Sequence, residues 1–256
     1  MRIGVCTETS KLGYVKSLGY DFAEFNLTVT SKLSDEDMEL AINTAKKEGI
    51  RIETFNNFVP ADIKLSADID LDLIRTYSNA AFARAQRLGG EIIVIGSGGA
   101  RRVPEGYSHE LAQDNFARAL DAVADCASAH GLKIAIEPLN RYEVNLINTL
   151  EDAYRMCEKV GRPDVGYIVD LYHFYRNGED FADIAKYGSG LIHTHLARMN
   201  EDRGAPTEDD ASDVKKFMDA LDGIGYKGRT SLECTFRPTF DEAIARSASM
   251  LATINK

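Results

Sequence analysis

The sequence predicts an α/β fold, a (β/α)8 barrel that takes in residues 1–256 as one domain. Eight short runs rich in β-branched residues alternate with helix-period patterns along the chain, which is the repeat such a barrel requires. No Pro/Gly/Ser-rich linker or charge run divides the sequence. The rival architecture, a doubly wound open sheet, would carry a glycine-rich fingerprint after its first strand, and "CTETSKLG" has none.

Strand one is expected at "RIGVCT" (2–7) and strand two at "FAEFN" (22–26). Ser34 then opens "SDEDMELAINTAKKEG" as an N-cap, with acids in the first turn, lysines in the last and Gly49 at the stop. Strand three follows at "RIETFN" (51–56) and strand four at "EIIVIGS" (91–97), which runs into a glycine- and arginine-rich loop. Gly131, Gly190 and Gly228 punctuate the entries to later strands at "KIAIEP" (133–138), "LIHTHLA" (191–197) and "TSLECTF" (230–236). Strand six is "VGYIVDL" (165–171). The last helix is read from Phe240, Ile244, Ala248, Leu251 and Ile254, one apolar stripe at three- and four-residue steps.

Side chains alternate along a strand, so parity tells which residues share a face. In strand five, Ala135 and Glu137 oppose Ile134 and Ile136; in strand six, Gly166, Ile168 and Asp170 oppose Tyr167 and Val169. In strand seven, His193 and His195 oppose Ile192, Thr194 and Leu196; in strand eight, Ser231 and Glu233 oppose Leu232 and Cys234. The apolar face suits the helix layer, and the other points into the barrel. Glu137, Asp170, His195 and Glu233 therefore end four consecutive strands on the inner side. Strands lie roughly 4.8 Å apart, so these groups converge at the C-terminal mouth, where such barrels hold their active sites.

Taken singly, each residue has a bland explanation: a salt-bridged glutamate, a helix-capping aspartate, a hydrogen-bonded interior histidine. Four at equivalent positions favour a site. Three carboxylates that close repel one another and raise their pKa values. One divalent ion removes the conflict, and three oxygen donors with one imidazole suit Mn²⁺ first, then Mg²⁺, Co²⁺ or Zn²⁺. Open positions would remain for water or substrate.

The net charge, 30 minus 40 or −10, argues against a nucleic-acid partner and against an anionic membrane surface. "MRIGVCTETS" lacks the apolar core of a signal peptide, and the isolated Cys6, Cys126, Cys157 and Cys234 read as reduced thiols, so a cytoplasmic location is expected. Subunit association as a homo-oligomer stays open.

At "IEPLNRYEVNLINT", "VDLYH", "HTHLARMN" and "SLEC" the chain resembles the xylose-isomerase-like TIM barrel superfamily, and within it the D-tagatose/D-psicose (ketose) 3-epimerase family. The likeness is dense in the C-terminal half and rests mainly on strand spacing in the N-terminal half. It implies that Glu137, Asp170, His195 and Glu233 bind the metal, and that Glu137 and Glu233 are the acid/base pair for C3 epimerisation of a ketose through a metal-stabilised enediolate. It further implies that Glu143 and His173 reach sugar hydroxyls near the carbonyl. The family carries an arginine six residues beyond its metal histidine; that position is Glu201 here, and Arg203 stands as the equivalent after a two-residue insertion, with Arg198 as competitor. The expected partner is a small-molecule sugar or keto-polyol.

Thr7, Glu8, Glu24, Asn26, Asn56 and Asn57 fall at or near the ends of strands one to three, where distal hydroxyls would be read, although each also suits a turn or cap. The loop "GSGGARRVPEGY" (96–107) offers Arg101 and Arg102 to an anion, or serves as a lid or subunit contact. Glu91, Lys133 and the acids of 200–210 read as solvated surface. His109 and His130 lie on or beside a helix, away from the mouth. Competing chemistries on the same site are hydroxypyruvate isomerisation and keto-inositol or dehydroshikimate dehydration. Apurinic-site cleavage is disfavoured by five histidines in all and by the acidic charge.

Overall fold

Eight parallel strands close on themselves in chain order, β1 pairing with both β2 and β8. The computed structural model describes residues 1–254. The strands are β1 (Arg2–Cys6), β2 (Phe22–Asn26), β3 (Arg51–Asn56), β4 (Ile92–Ile95), β5 (Lys133–Ile136), β6 (Val165–Asp170), β7 (Leu191–Leu196) and β8 (Arg229–Leu232). The helices are α1 (Leu12–Ser17), α2 (Leu27–Thr30), α3 (Asp35–Glu48), α4 (Leu71–Arg87), α5 (Gly98–Arg101), α6 (His109–Ala129), α7 (Leu150–Val160), α8 (Leu171–Asn177), α9 (Phe181–Tyr187), α10 (Ala211–Gly223) and α11 (Phe240–Ile254). The fold is the expected (β/α)8 barrel. No described helix is long and apolar enough to cross a membrane.

The caps behave as their sequences dictate. Ser34 Oγ accepts the Asp37 N–H at 3.0 Å, and Gly49 ends α3 in the left-handed region at φ 64°, where a side chain would be strained.

Strands four, five and eight are shorter than expected, ending at Ile95, Ile136 and Leu232. The chain must leave the sheet there to enter its loops, and Pro138 has no N–H with which to extend a ladder. Glu137 and Glu233 each donate one last backbone bond, to Ile95 O and Leu196 O, both at 3.2 Å. Both glutamates thus sit one step past their strands, still anchored to the neighbouring one.

Inside the barrel Ile92, Val94, Ala135 and Ile168 form an apolar layer, while Ile134, Ile136, Tyr167, Val169, Leu196 and Leu232 pack outward in the core shared with the helices. Parity misplaces one residue. Ile192 was expected on the outer face, yet it packs against the interior layer. Tyr167 pairs with Leu191 but Ile168 with His193, so Ile192 is the extra residue of a bulge and turns inward. His193 and His195 keep their inward direction.

A second register shift makes Glu53 the extra residue of β3, since Ala23 pairs with Ile52 and Glu24 with Thr54. Glu53 is fully buried at the N-terminal end of the barrel, bound by Arg2 at 2.5 and 2.7 Å and by Arg229 at 2.5 Å. Glu91, expected as solvated surface, joins this plug through Arg229 and through Arg51 at 2.6 Å. Removing Glu53 would cost Arg229 one of its two carboxylate partners, Glu91 remaining, and would release the half-exposed Arg2 to water.

Candidate metal centre

The C-terminal mouth is assembled from strand ends. Asp170 closes β6 and caps α8, its Oδ1 accepting the His173 N–H at 3.1 Å while its Oδ2 stays directed into the mouth. The capping role and a ligand role therefore use different oxygens. Glu137 is held from behind by the buried Arg101, whose Nη2 donates to the Glu137 carbonyl at 2.5 Å. Gly96 allows the glutamate to lie close: a Cβ there would stand 2.2 Å from Glu137 Oε2.

His195 Nδ1 lies 3.2 Å from Glu137 Oε1, 3.0 Å from Glu233 Oε2 and 3.7 Å from Asp170 Oδ2. One donor atom from each of Glu137, Asp170, His195 and Glu233 falls within 4.8 Å of every other. The donor set fits a small divalent ion: hard oxygens, one imidazole, and negative charge that nothing but cations can balance. In the protein alone that balance comes from Arg203, whose Nη2 donates to Asp170 Oδ2 at 2.8 Å and to Glu233 Oε2 at 2.5 Å, and from His195. Burial and the neighbouring Glu233 charge push the Glu137 carboxyl up, against the pull of His195. Burial also acts on Asp170 and Glu233, but Arg203 above all holds both below the usual carboxylate range. Burial lowers His195, and Glu24 and Glu233 outweigh it and raise the imidazole well above its ordinary value.

Beneath the four lies Glu24, fully buried. Its Oε2 accepts from Thr54 Oγ1 at 2.7 Å and faces His193 Nε2 at 2.8 Å; its Oε1 faces His195 Nε2 at 3.0 Å. Two imidazoles donating to one carboxylate hold it ionised, below the usual range despite burial. His195 consequently holds one proton on Nε2 against Glu24, and the nitrogen that would give up its proton to a metal is Nδ1, which faces the three carboxylates. Glu24 is not the reader of distal hydroxyls that its strand-end neighbourhood indicated. It lies mid-barrel, under the site.

At the rim, Asn140 joins the two residues expected to meet substrate. Its Nδ2 donates to Glu143 Oε1 at 2.8 Å and lies 2.8 Å from His173 Nδ1, which also accepts the Asn140 backbone N–H at 3.2 Å. With Nδ1 an acceptor, the His173 proton sits on Nε2, which is buried and has no partner among the described residues. Sequence reading passed over Asn140, although its place inside "EPLNRYE", three residues before Glu143, marked it for inspection.

Of the two candidate arginines, Arg203 reaches the mouth. Arg198 is turned away, its Nε donating to Asp210 at 3.1 Å. Loop 96–107 is not laid out as an open anion cradle. Arg101 is buried behind Glu137, Arg102 donates to the Glu143 carbonyl, and Asn145 bonds both the N–H and the carbonyl of Val103 at 2.9 Å. This loop braces the segment that carries Glu137 and Glu143. Asn26 caps α2 by accepting the Val29 N–H at 3.0 Å, and Asn57 adopts a left-handed turn at φ 47°. Asn56 Nδ2 donates to Glu233 Oε1 at 2.5 Å.

A sequence model of the xylose isomerase-like TIM barrel family matches residues 12–254. Over 120 residues, 46% of this chain and 40% of the relative, the sequence is 33% identical to a ketose 3-epimerase of Arthrobacter globiformis. Over 140 residues, 50% of this chain and 48% of the relative, it is 27% identical to an inosose isomerase of Halalkalibacterium halodurans. The chain spans about half the length of these curated relatives. Its fold is similar to that of a D-psicose 3-epimerase from Clostridium cellulolyticum H10 solved with D-tagatose, with a TM-score of 0.85 at 19% identity, covering 100% of this chain and 98% of the other.

Proposed function

The chain belongs to the xylose isomerase-like TIM barrel family, and on that premise we propose that it is a metal-dependent sugar isomerase or epimerase that inverts C3 of a ketose. The observation that carries this reading is the convergence of Glu137, Asp170, His195 and Glu233 within 4.8 Å of one another at the barrel mouth. These four would hold one divalent ion, for which Mn²⁺ is the first candidate. When bound, the ion supplies a Lewis acid that lowers the cost of negative charge beside a carbonyl.

The chain's own residues account for the proton traffic. A ketose C3–H is acidic because the adjacent C2 carbonyl delocalises the charge, and inversion needs a base on one face and an acid on the other. Glu137 and Glu233 come from strands on different sides of the mouth, so a sugar lying between them meets one carboxyl on each face. One takes the C3 proton while the other returns a proton from the opposite side. In the metal-free protein burial and Glu233 push the Glu137 carboxyl up, while Arg203 and His195 hold Glu233 down against burial. His173 Nε2–H and Glu143 would hold the oxygens at the carbonyl end, kept in place by Asn140. Arg203 adds a cation beside Glu233 that would meet a substrate oxygen.

The test is proton NMR of a ketose panel in D₂O with the Mn²⁺- or Mg²⁺-loaded protein, quenched and stripped of metal before the spectra are taken. Deuterium at C3 supports the reading. Deuterium at C1 means aldose–ketose isomerisation, loss of water means a dehydratase, and no exchange with any ketose removes the proposal. The likeness to an inosose isomerase favours one second reading, proton transfer beside the carbonyl of a keto-inositol, which the same experiment separates once such a compound joins the panel.

A further inference from the structure

We propose that Arg203 is the resident counter-cation of the four-residue centre and competes with the divalent ion for its oxygens, so that this side chain sets how tightly the ion is held. This rests on the metal-centre reading above and goes beyond it by assigning a residue that lowers the affinity of the site while stabilising the protein alone.

The oxygens decide it. Arg203 Nη2 donates to Asp170 Oδ2 at 2.8 Å and to Glu233 Oε2 at 2.5 Å. Those are the oxygens that face His195 Nδ1, at 3.7 and 3.0 Å. Neither carboxylate has an idle second oxygen. Asp170 Oδ1 accepts the His173 backbone N–H at 3.1 Å, and Glu233 Oε1 accepts from Asn56 Nδ2 at 2.5 Å. An ion drawn to these carboxylates and to His195 therefore meets oxygens that the guanidinium already uses. Two cations on one pair of oxygens repel, and a divalent charge doubles the effect where the effective dielectric is low.

The arginine is not free to leave. Its backbone takes the left-handed region at φ 52°, which is uncommon for a residue with a side chain, and hydrogen bonds hold it there. The Thr235 N–H donates to the Arg203 carbonyl at 2.7 Å, and the Arg198 N–H to the Gly204 carbonyl at 2.9 Å. The guanidinium lies 5.3 Å from the Tyr172 ring centroid, and three-quarters of the side chain is covered. The fold thus keeps a cation against the ligand set, and an ion changes the strength of its bonds rather than its presence. Taking the arginine away leaves Asp170 and Glu233 buried without that charge, which destabilises the protein alone. It also leaves both oxygens to the ion.

The experiment measures Mn²⁺ binding by EPR of the free ion, and urea unfolding with and without Mn²⁺, in wild type and in Arg203→Met. Methionine keeps a stem against the Tyr172 ring and removes the charge. Arg203→Met should bind Mn²⁺ roughly 10- to 100-fold more tightly. It should unfold at lower urea without metal, and gain more stability from saturating Mn²⁺ than wild type does. Equal or weaker Mn²⁺ binding overturns the inference. Should the variant not fold, wild type answers alone: the Arg203 Nε–H signal, identified by its loss in Arg203→Lys, should shift on titration with Mg²⁺, and an unmoved signal overturns the inference too. If wild type binds no divalent ion, the metal-centre reading falls and takes the inference with it; ion binding that does not tighten when the charge is removed discards the inference alone.

Discussion

Replacing Glu24 by Gln should weaken metal binding about 10- to 100-fold while leaving the barrel folded. Both oxygens of Glu24 are acceptors in use: Oε2 serves Thr54 and His193, and Oε1 serves His195. A glutamine has one acceptor oxygen. Placed at the Oε2 position it keeps Thr54 and His193 but sets an NH₂ against the His195 Nε2–H. His195 then either loses its partner or moves its proton to Nδ1, the nitrogen that faces Glu137, Asp170 and Glu233. A buried donor without a partner costs about 1–3 kcal/mol, which corresponds to the ten- to hundredfold range known for groups that orient metal-bound histidines. Mn²⁺ affinity is measured by EPR of the free ion, and the placement of the His195 protons by long-range ¹H–¹⁵N correlation in the metal-free protein. Wild-type affinity in Glu24→Gln together with an unchanged Nε2–H tautomer would refute the reasoning.

Gly96→Ala places a methyl group 2.2 Å from Glu137 Oε2, so Glu137 must move; metal affinity should drop about tenfold, with a stability loss of about 1–3 kcal/mol in urea. Metal binding should release protons and weaken as the pH falls from 7 to about 4, because the ion must displace the proton that the raised His195 imidazole already holds and the raised Glu137 carboxyl protonates before its neighbours; constant Mn²⁺ occupancy over that window would contradict the ligand set. Glu179 is pushed by burial from 4.5 to about 7. An acid raised in the folded state binds more protons folded than unfolded, so the stability it confers is present below 4.5 and lost as the pH rises to about 7. Glu179→Gln should therefore be stabilising by about 1–3 kcal/mol at pH 8 and near neutral at pH 4.5, measured by urea unfolding at both; the same difference at both values would contradict the assignment.

The strand-end groups were legible because period-two alternation fixes direction without knowledge of neighbours: Glu137, Asp170, His195 and Glu233 needed only their own strands. Ile192 was misread because a bulge is a property of a pair, set by the register between β6 and β7 rather than by either segment. Depth along the barrel axis was equally hidden. Glu24 and Asn56 both face inward near the ends of their strands, yet one lies under the ligand set and the other beside Glu233, since stagger between strands decides which layer a residue joins. The loops carried the least signal. Arg203 and Arg198 belong to one polar segment, and only the fold of 200–210, with Asp210 engaging Arg198, sends Arg203 to the mouth. Arg101 looked like an anion donor and is instead a buried brace behind Glu137.

His195 also belongs to a second potential ligand group with Cys6 and Glu24, on its Nε2 side. Anomalous diffraction from Mn²⁺-soaked crystals separates the two. The account predicts a single peak about 2.0–2.4 Å from His195 Nδ1 and from oxygens of Glu137, Asp170 and Glu233. A peak among Cys6, Glu24 and His195 Nε2, or none at saturating Mn²⁺, would contradict it.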